Sequence, residues 1–285
     1  MSFKKPSVKL GLPKMGGGNL RHTDTMEFLS PLVMVSYKTR PGYPSQAMKD
    51  TVNAAAVQAR KIVRIANDEI AKVLILRRPE SQLFIDTFAK HFRLTDDGDD
   101  AGGLLEDNII NKPFSPKAFF RHDRRWVLEK VRRKMLSLSA HLNTGVYLID
   151  QDTAQRDVYD GVQGNVGDAP YSGWVGYVHP RGPQQGIRSA MCGFRNGEIH
   201  VDFQSMMGFS LNTNACIIIH EACHKFLGMM GDVYGDDPNY PPPLQAGALD
   251  NCDCVAWTAV SLATGAVRMA QHDGPDFANC PGGAL

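Results

Sequence analysis

The chain has 285 residues, with 31 Lys plus Arg against 30 Asp plus Glu, 43% hydrophobic and 21% charged residues. That length builds one large domain or two small ones, and the composition is that of a globular protein rather than a disordered or fibrous one. A formal net charge of +1 supplies no field to hold nucleic acid or an anionic membrane. The longest apolar runs, such as residues 216–219, are too short for a membrane span.

Residues 1–45 are rich in Gly and Pro and read as an extended N-terminal arm, interrupted by the strand-like run Leu32 to Tyr37. From Ser45 to Leu76 there is no Gly or Pro, and the spacing predicts one long helix capped by Ser45. Its expected buried stripe is Val57, Ile62, Ile65, Ile70, Val73 and Leu74. A shorter helix is expected over Ser81 to His91, then an acidic loop at 96–100. Another helix follows over Arg121 to Leu142, with Trp126, Val127, Val131, Met135 and Leu138 on its apolar side. Short strands are expected over 145–149 and 174–179.

Residues 198–203 alternate polar and apolar, which predicts a half-buried strand. A helix from Thr213 to Leu227 follows, with Asn212 or Thr213 as cap and Gly228 as stop, and a last helix covers 250–263. No internal repeat and no clear linker appear, so residues 46–285 read as a single domain.

Two features bear on compartment. The N-terminus carries lysines but no apolar run after them and no small-residue cleavage site, so no Sec-type leader is expected. That leaves the compartment open between the cytoplasm and export by a leaderless route. Six cysteines all lie in the C-terminal third, at 192, 216, 223, 252, 254 and 280. They are too few for a disulfide scaffold, and pairing of Cys252 or Cys254 with Cys192 or Cys280 stays open.

The chemistry concentrates in His220-Glu221-Ala222-Cys223-His224. Two histidines four residues apart on a helix project from one face, so both imidazoles reach one ion. Zinc accepts imidazole nitrogen, and a catalytic site needs three protein ligands plus a water. Glu221 is placed to take the proton from that water as it attacks a carbonyl. No glutamate follows Glu221, and the position six residues after His224 is Met230, so two common sources of a third ligand are missing. Asp232, Asp236, Asp237, Asp250, Asp253 and His272 remain. Asp232 is the best of them, because Gly228 and Gly231 let the chain turn back towards the ion.

His220 to His224, followed by Gly231-Asp232-Val233-Tyr234-Gly235, resembles the aspzincins, the deuterolysin and peptidyl-lysine metallopeptidase group. Asn251-Cys252-Asp253 is similar to that family's Asn-Ala-Asp, and Trp257 falls where an aromatic is expected. The specific part of the resemblance spans residues 198–258. It implies an α+β domain of zincin type, mainly helical in its first half, with a small sheet beside the catalytic helix. It further implies Zn2+ on His220, His224 and Asp232, Glu221 as general base and Tyr234 as stabiliser of the oxyanion. Asp253 would attract a basic substrate side chain, and the strand holding His200 and Val201 would be the edge along which a peptide lies. The chain departs from the family in having one residue, not two, between Asp232 and Tyr234. Ala256 stands where lysine-selective members carry a second acid.

The expected reaction is hydrolysis of a peptide bond in a protein or peptide substrate. A toxin or effector protease, paired with an immunity or secretion partner, is one alternative. A zinc-stabilised binding protein without turnover is the other. The basic run from Arg121 to Lys134 is interleaved with Asp123 and Glu129 and reads as a solvated helix face, and the acidic loop lacks calcium-ligand spacing.

Overall fold

A computed structural model describes residues 25–37, 39–94, 124–150, 176–178, 199–229, 231, 233–235, 237–242 and 247–269. Among these residues, five strands form one mixed sheet in the order β1-β2-β3-β5-β4: β1 Thr25–Ser30, β2 Val33–Tyr37, β3 Val146–Asp150, β4 Gly176–Val178 and β5 Ile199–Val201. Strand β1 pairs antiparallel with β2, β2 and β5 both run parallel to β3, and β4 pairs antiparallel with β5. Parallel neighbours need a long crossover. Among the described residues, the one between β2 and β3 carries three helices: α1 Gln46–Leu74, α2 Gln82–Phe92 and α3 Arg124–Thr144. After β5 come the short α4 Phe203–Met206, then α5 Leu211–Ala222 and α6 Cys252–Thr264. The architecture is α+β. No described helix is long and apolar enough to cross a membrane.

Two expectations about the arm and the sheet need correction. Residues 25–37 are not part of an extended arm, because β1 and β2 form a hairpin whose second strand lies inside the sheet. Val33 and Val35 are fully buried there. The strand holding His200 and Val201 is not an edge. In β5, His200 faces Ile149 on one side and Tyr177 on the other, and Val201 faces Asp150 and Gly176. All three residues of β5 are buried. Alternation over six residues signalled a strand correctly, but burial on both faces could not be read from it. The edge is β4.

Helix α1 is the scaffold on which the site is built, packing against α3, α5 and α6. Ser45 caps it, its Oγ accepting from Met48 N at 3.2 Å, which is worth about 1 kcal/mol. The buried face consists of Val52, Ala55, Ala56, Ala59, Ile62, Val63, Ala66 and Ile70, whereas Val57 is exposed. Of the expected stripe, Ile62 and Ile70 are fully buried and Val73 and Leu74 pack against the core, while Val57 lies outside and four alanines carry the closest contacts. Ser81 caps α2 in the same manner. On α3 the buried residues are Val127, Leu128, Val131, Met135, Leu138 and Leu142, with Trp126 packed at the margin. Its basic residues are partly paired: Arg124 bonds Glu80, Arg125 bonds Glu129, and Lys130 lies over the Trp126 ring. The acidic loop at 96–100 lies outside the described residues.

Candidate metal centre

Helix α5 begins at Ser210, not at Asn212 or Thr213. The Ser210 Oγ accepts from Thr213 N, while Asn212 and Thr213 are already buried within the first turn. Asn212 serves the core instead, its Oδ1 accepting from Gln58 Nε2 on α1 at 2.9 Å. Ala215, Ile218 and Ile219 are fully buried. Each buried isoleucine stabilises the seat by roughly 1.5–3 kcal/mol. The helix therefore cannot rotate without exposing this anchor, and the ring directions of His220 and His224 follow from it.

After Ala222 the helix widens into a π turn, Cys223–Leu227, stopped by Gly228 at φ 65°. Gly228 N bonds His224 O and Met229 N bonds Cys223 O. The carbonyl of Met229 folds back to accept from His224 Nδ1 at 2.8 Å. A carbonyl oxygen can only accept, so Nδ1 carries the hydrogen and Nε2 presents a lone pair. The same reasoning applies to His220, whose Nδ1 lies 2.6 Å from Asp253 Oδ1. The two Nε2 atoms are 3.0 Å apart. Two lone pairs at that distance repel unless a proton or a metal cation lies between them. Two nitrogens on a tetrahedral zinc, each about 2.0–2.1 Å from it, would be about 3.3 Å apart, so the donor pair fits such an ion. His220, His224 and Cys252 together form a buried group able to hold a metal ion.

Cys252 adds a sulfur to the expected donors. Its Sγ lies 3.4 Å from His224 Nδ1, on the nitrogen that Met229 already occupies, so the thiol backs this ring. Cys252 also hydrogen-bonds Cys223. Burial pushes the Cys223 thiol up, while that hydrogen bond and the two imidazoles pull it below its ordinary value. Cys216, Cys223, Cys252 and Cys254 are all free thiols, and Cys192 and Cys280 lie outside the described residues.

The loop that follows is tied to the start of α6 along its length. Gly231 N bonds Asp250 O at 3.1 Å, Cys252 N bonds Gly231 O at 3.0 Å, and Asn251 Nδ2 bonds Val233 O at 3.0 Å. Asn251 also caps α6 through Cys254 N. Only glycine fits at 231, because a Cβ there would stand 2.8 Å from Asp250 O and 3.0 Å from Asn251 Cα. Asp232, Asp236 and His272, three of the candidate third ligands, lie outside the described residues. Asp237 holds its own turn through Asn239, and Asp250 is exposed. Tyr234 is brought to the site: its ring stacks on His220 with centroids 5.8 Å apart and planes 8° apart.

Asp253 is not placed to receive a substrate side chain. It is 6% exposed, and both oxygens are engaged, Oδ1 by His220 and Oδ2 by Gly235 N at 2.6 Å. His200 and Val201 are likewise enclosed within the sheet. The group that does meet the edge strand is Glu221. A Cβ on Gly176 of β4 would stand 2.9 Å from Glu221 Oε1 and 3.0 Å from both Glu221 Cγ and Ile217 Cγ2. A lone glycine inside a strand pattern signals such a close approach, so Gly176 was findable in the sequence. Compared with protein-family models, curated proteins and solved structures, the chain matches none.

Proposed function

We propose that this chain is a zinc-dependent endopeptidase of zincin type, with His220, His224 and Asp232 as the metal ligands. The observation that carries the reading is the pair of Nε2 atoms 3.0 Å apart, both Nδ1 hydrogens being committed elsewhere, beside a buried glutamate on the same helix. A bound zinc supplies Lewis acidity, polarising the substrate carbonyl and lowering the pKa of its water to about 7.

The chain's own residues do the rest. Glu221 accepts the proton of the attacking water and passes it to the departing amine. Strand β4 supports substrate binding, because among the described residues it is paired only on its β5 side. An extended peptide added to that free edge gains main-chain hydrogen bonds and runs past Glu221. Tyr234, 42% exposed and lying against His220, is positioned to approach an oxyanion. The effector reading adds only a delivery route to this chemistry, and nothing in the site favours it.

The test is metal analysis and peptide cleavage on three proteins. The wild type is expected to hold one zinc. Glu221→Gln is expected to keep it while cleavage falls at least about a hundredfold, the loss typical of a general base. Asp232→Ala is expected to lose the metal. Equal zinc in wild type and Asp232→Ala overturns the third-ligand assignment, and zinc without cleavage in the wild type favours a non-catalytic binding protein.

A further inference from the structure

A single buried carboxylate joins the two halves of the metal centre. Asp253, on the first turn of α6, is 6% exposed. Its Oδ1 takes the Nδ1 hydrogen of His220 on α5 at 2.6 Å, and its Oδ2 takes the amide of Gly235 on the loop at 2.6 Å. Gly235 directly follows Tyr234, whose ring covers the same imidazole that Asp253 holds. His220 is therefore fixed on one edge by the carboxylate and on one face by a phenol ring that the same carboxylate tethers.

We infer that Asp253 is the positioning residue of this centre: it fixes the tautomer and direction of His220 and slaves the Tyr234 loop to it, and so is not available to select a basic substrate residue. The inference rests on the zinc reading. A carboxylate on the far nitrogen of a metal-bound imidazole sets ring orientation and raises ligand basicity, and its loss typically costs 10–100-fold in metal affinity. Asparagine fits the same space but cannot replace it. Its amide offers one acceptor oxygen, so either His220 Nδ1 or Gly235 N meets an NH2 group.

The experiment compares zinc affinity, by competition with a chelator, in wild type, Asp253→Asn and Ser81→Ala. Ser81→Ala removes the cap of α2, away from the metal centre, and controls for a general loss of stability. Asp253→Asn is expected to bind zinc 10–100-fold more weakly, and Ser81→Ala to stay within a few-fold of wild type. Cleavage of peptides with Lys or Leu after the scissile bond is expected to fall by the same factor in Asp253→Asn. In the wild type, proton NMR is expected to show the His220 Nδ1 hydrogen as a slowly exchanging, strongly downfield signal, which needs no variant to fold. Equal zinc affinity in wild type and Asp253→Asn, a loss confined to the Lys peptide, or absence of that signal overturns the inference alone. A wild type that takes up no zinc overturns the zinc reading and this inference together.

Discussion

The candidate metal centre is made of two regions built on different principles. The α5 half holds His220, Glu221 and His224 by burying apolar neighbours, so its geometry comes from a helix locked against α1. The loop half, seen at Gly231, Val233, Tyr234 and Gly235, is held by hydrogen bonds to Asp250, Asn251, Cys252 and Asp253. Packing tolerates small errors because many contacts share the load. A short run of main-chain bonds does not, so the second half is the more fragile of the two.

The sharpest way to break that contrast is Gly231→Ala. The added methyl meets backbone at 2.8 Å, with no flexible side chain to yield. Destabilisation of about 1–3 kcal/mol is expected, with most of the bound zinc lost, read by thermal melting and metal content. Retention of full zinc would mean that the loop bonds are dispensable.

Gly176→Ala probes the packed half from the sheet side. Its methyl meets the carboxylate of Glu221, the movable end of a side chain, so the fold is expected to survive while the base is displaced. Cleavage should fall roughly tenfold to a hundredfold with zinc unchanged, since small misplacements of a reacting group are that costly. An unaltered rate would show that Glu221 has room to spare.

The mildest test concerns the packing behind α6. His91 is fully buried between Tyr240 Oη at 2.6 Å and Ser261 Oγ at 3.2 Å. Burial, assisted by Lys90, lowers its pKa from 6.5 to about 3. The folded state therefore binds fewer protons than the unfolded chain between these values, so stability is lost as pH falls from about 6.5 towards 3. His91→Gln is expected to be less stable at neutral pH but to lose less on acidification, measured by melting at pH 7.5 and 4.5. A parallel loss in both proteins would remove His91 as an acid-labile point.

The sequence made the α5 half legible because one local period carries all its information: i,i+4 histidines, an apolar run and a stopping glycine. Helix boundaries elsewhere agreed within a few residues, since Ser45, Ser81 and Gly228 are local signals. What escaped was set by tertiary neighbours. The alternation around His200 marks a strand but says nothing of who pairs with it, and β5 proved central. The family resemblance implies a substrate contact for Asp253, yet its direction depends on residues 33 positions earlier and 18 positions earlier in the chain. The buried alanines of α1 escaped for the same reason, because alanine contacts leave a weak hydrophobic signature.

The wide turn at Cys223–Leu227 shows what the fold gives up to aim one imidazole. A regular α-helix would satisfy more backbone groups there and align its dipoles better. The broader ring instead lets the chain double back so that the Met229 oxygen reaches the second histidine. Evolutionary tightening of this segment for thermal robustness would run against that reach, so gains in melting temperature are to be sought in α1 and α3, away from residues 223–229.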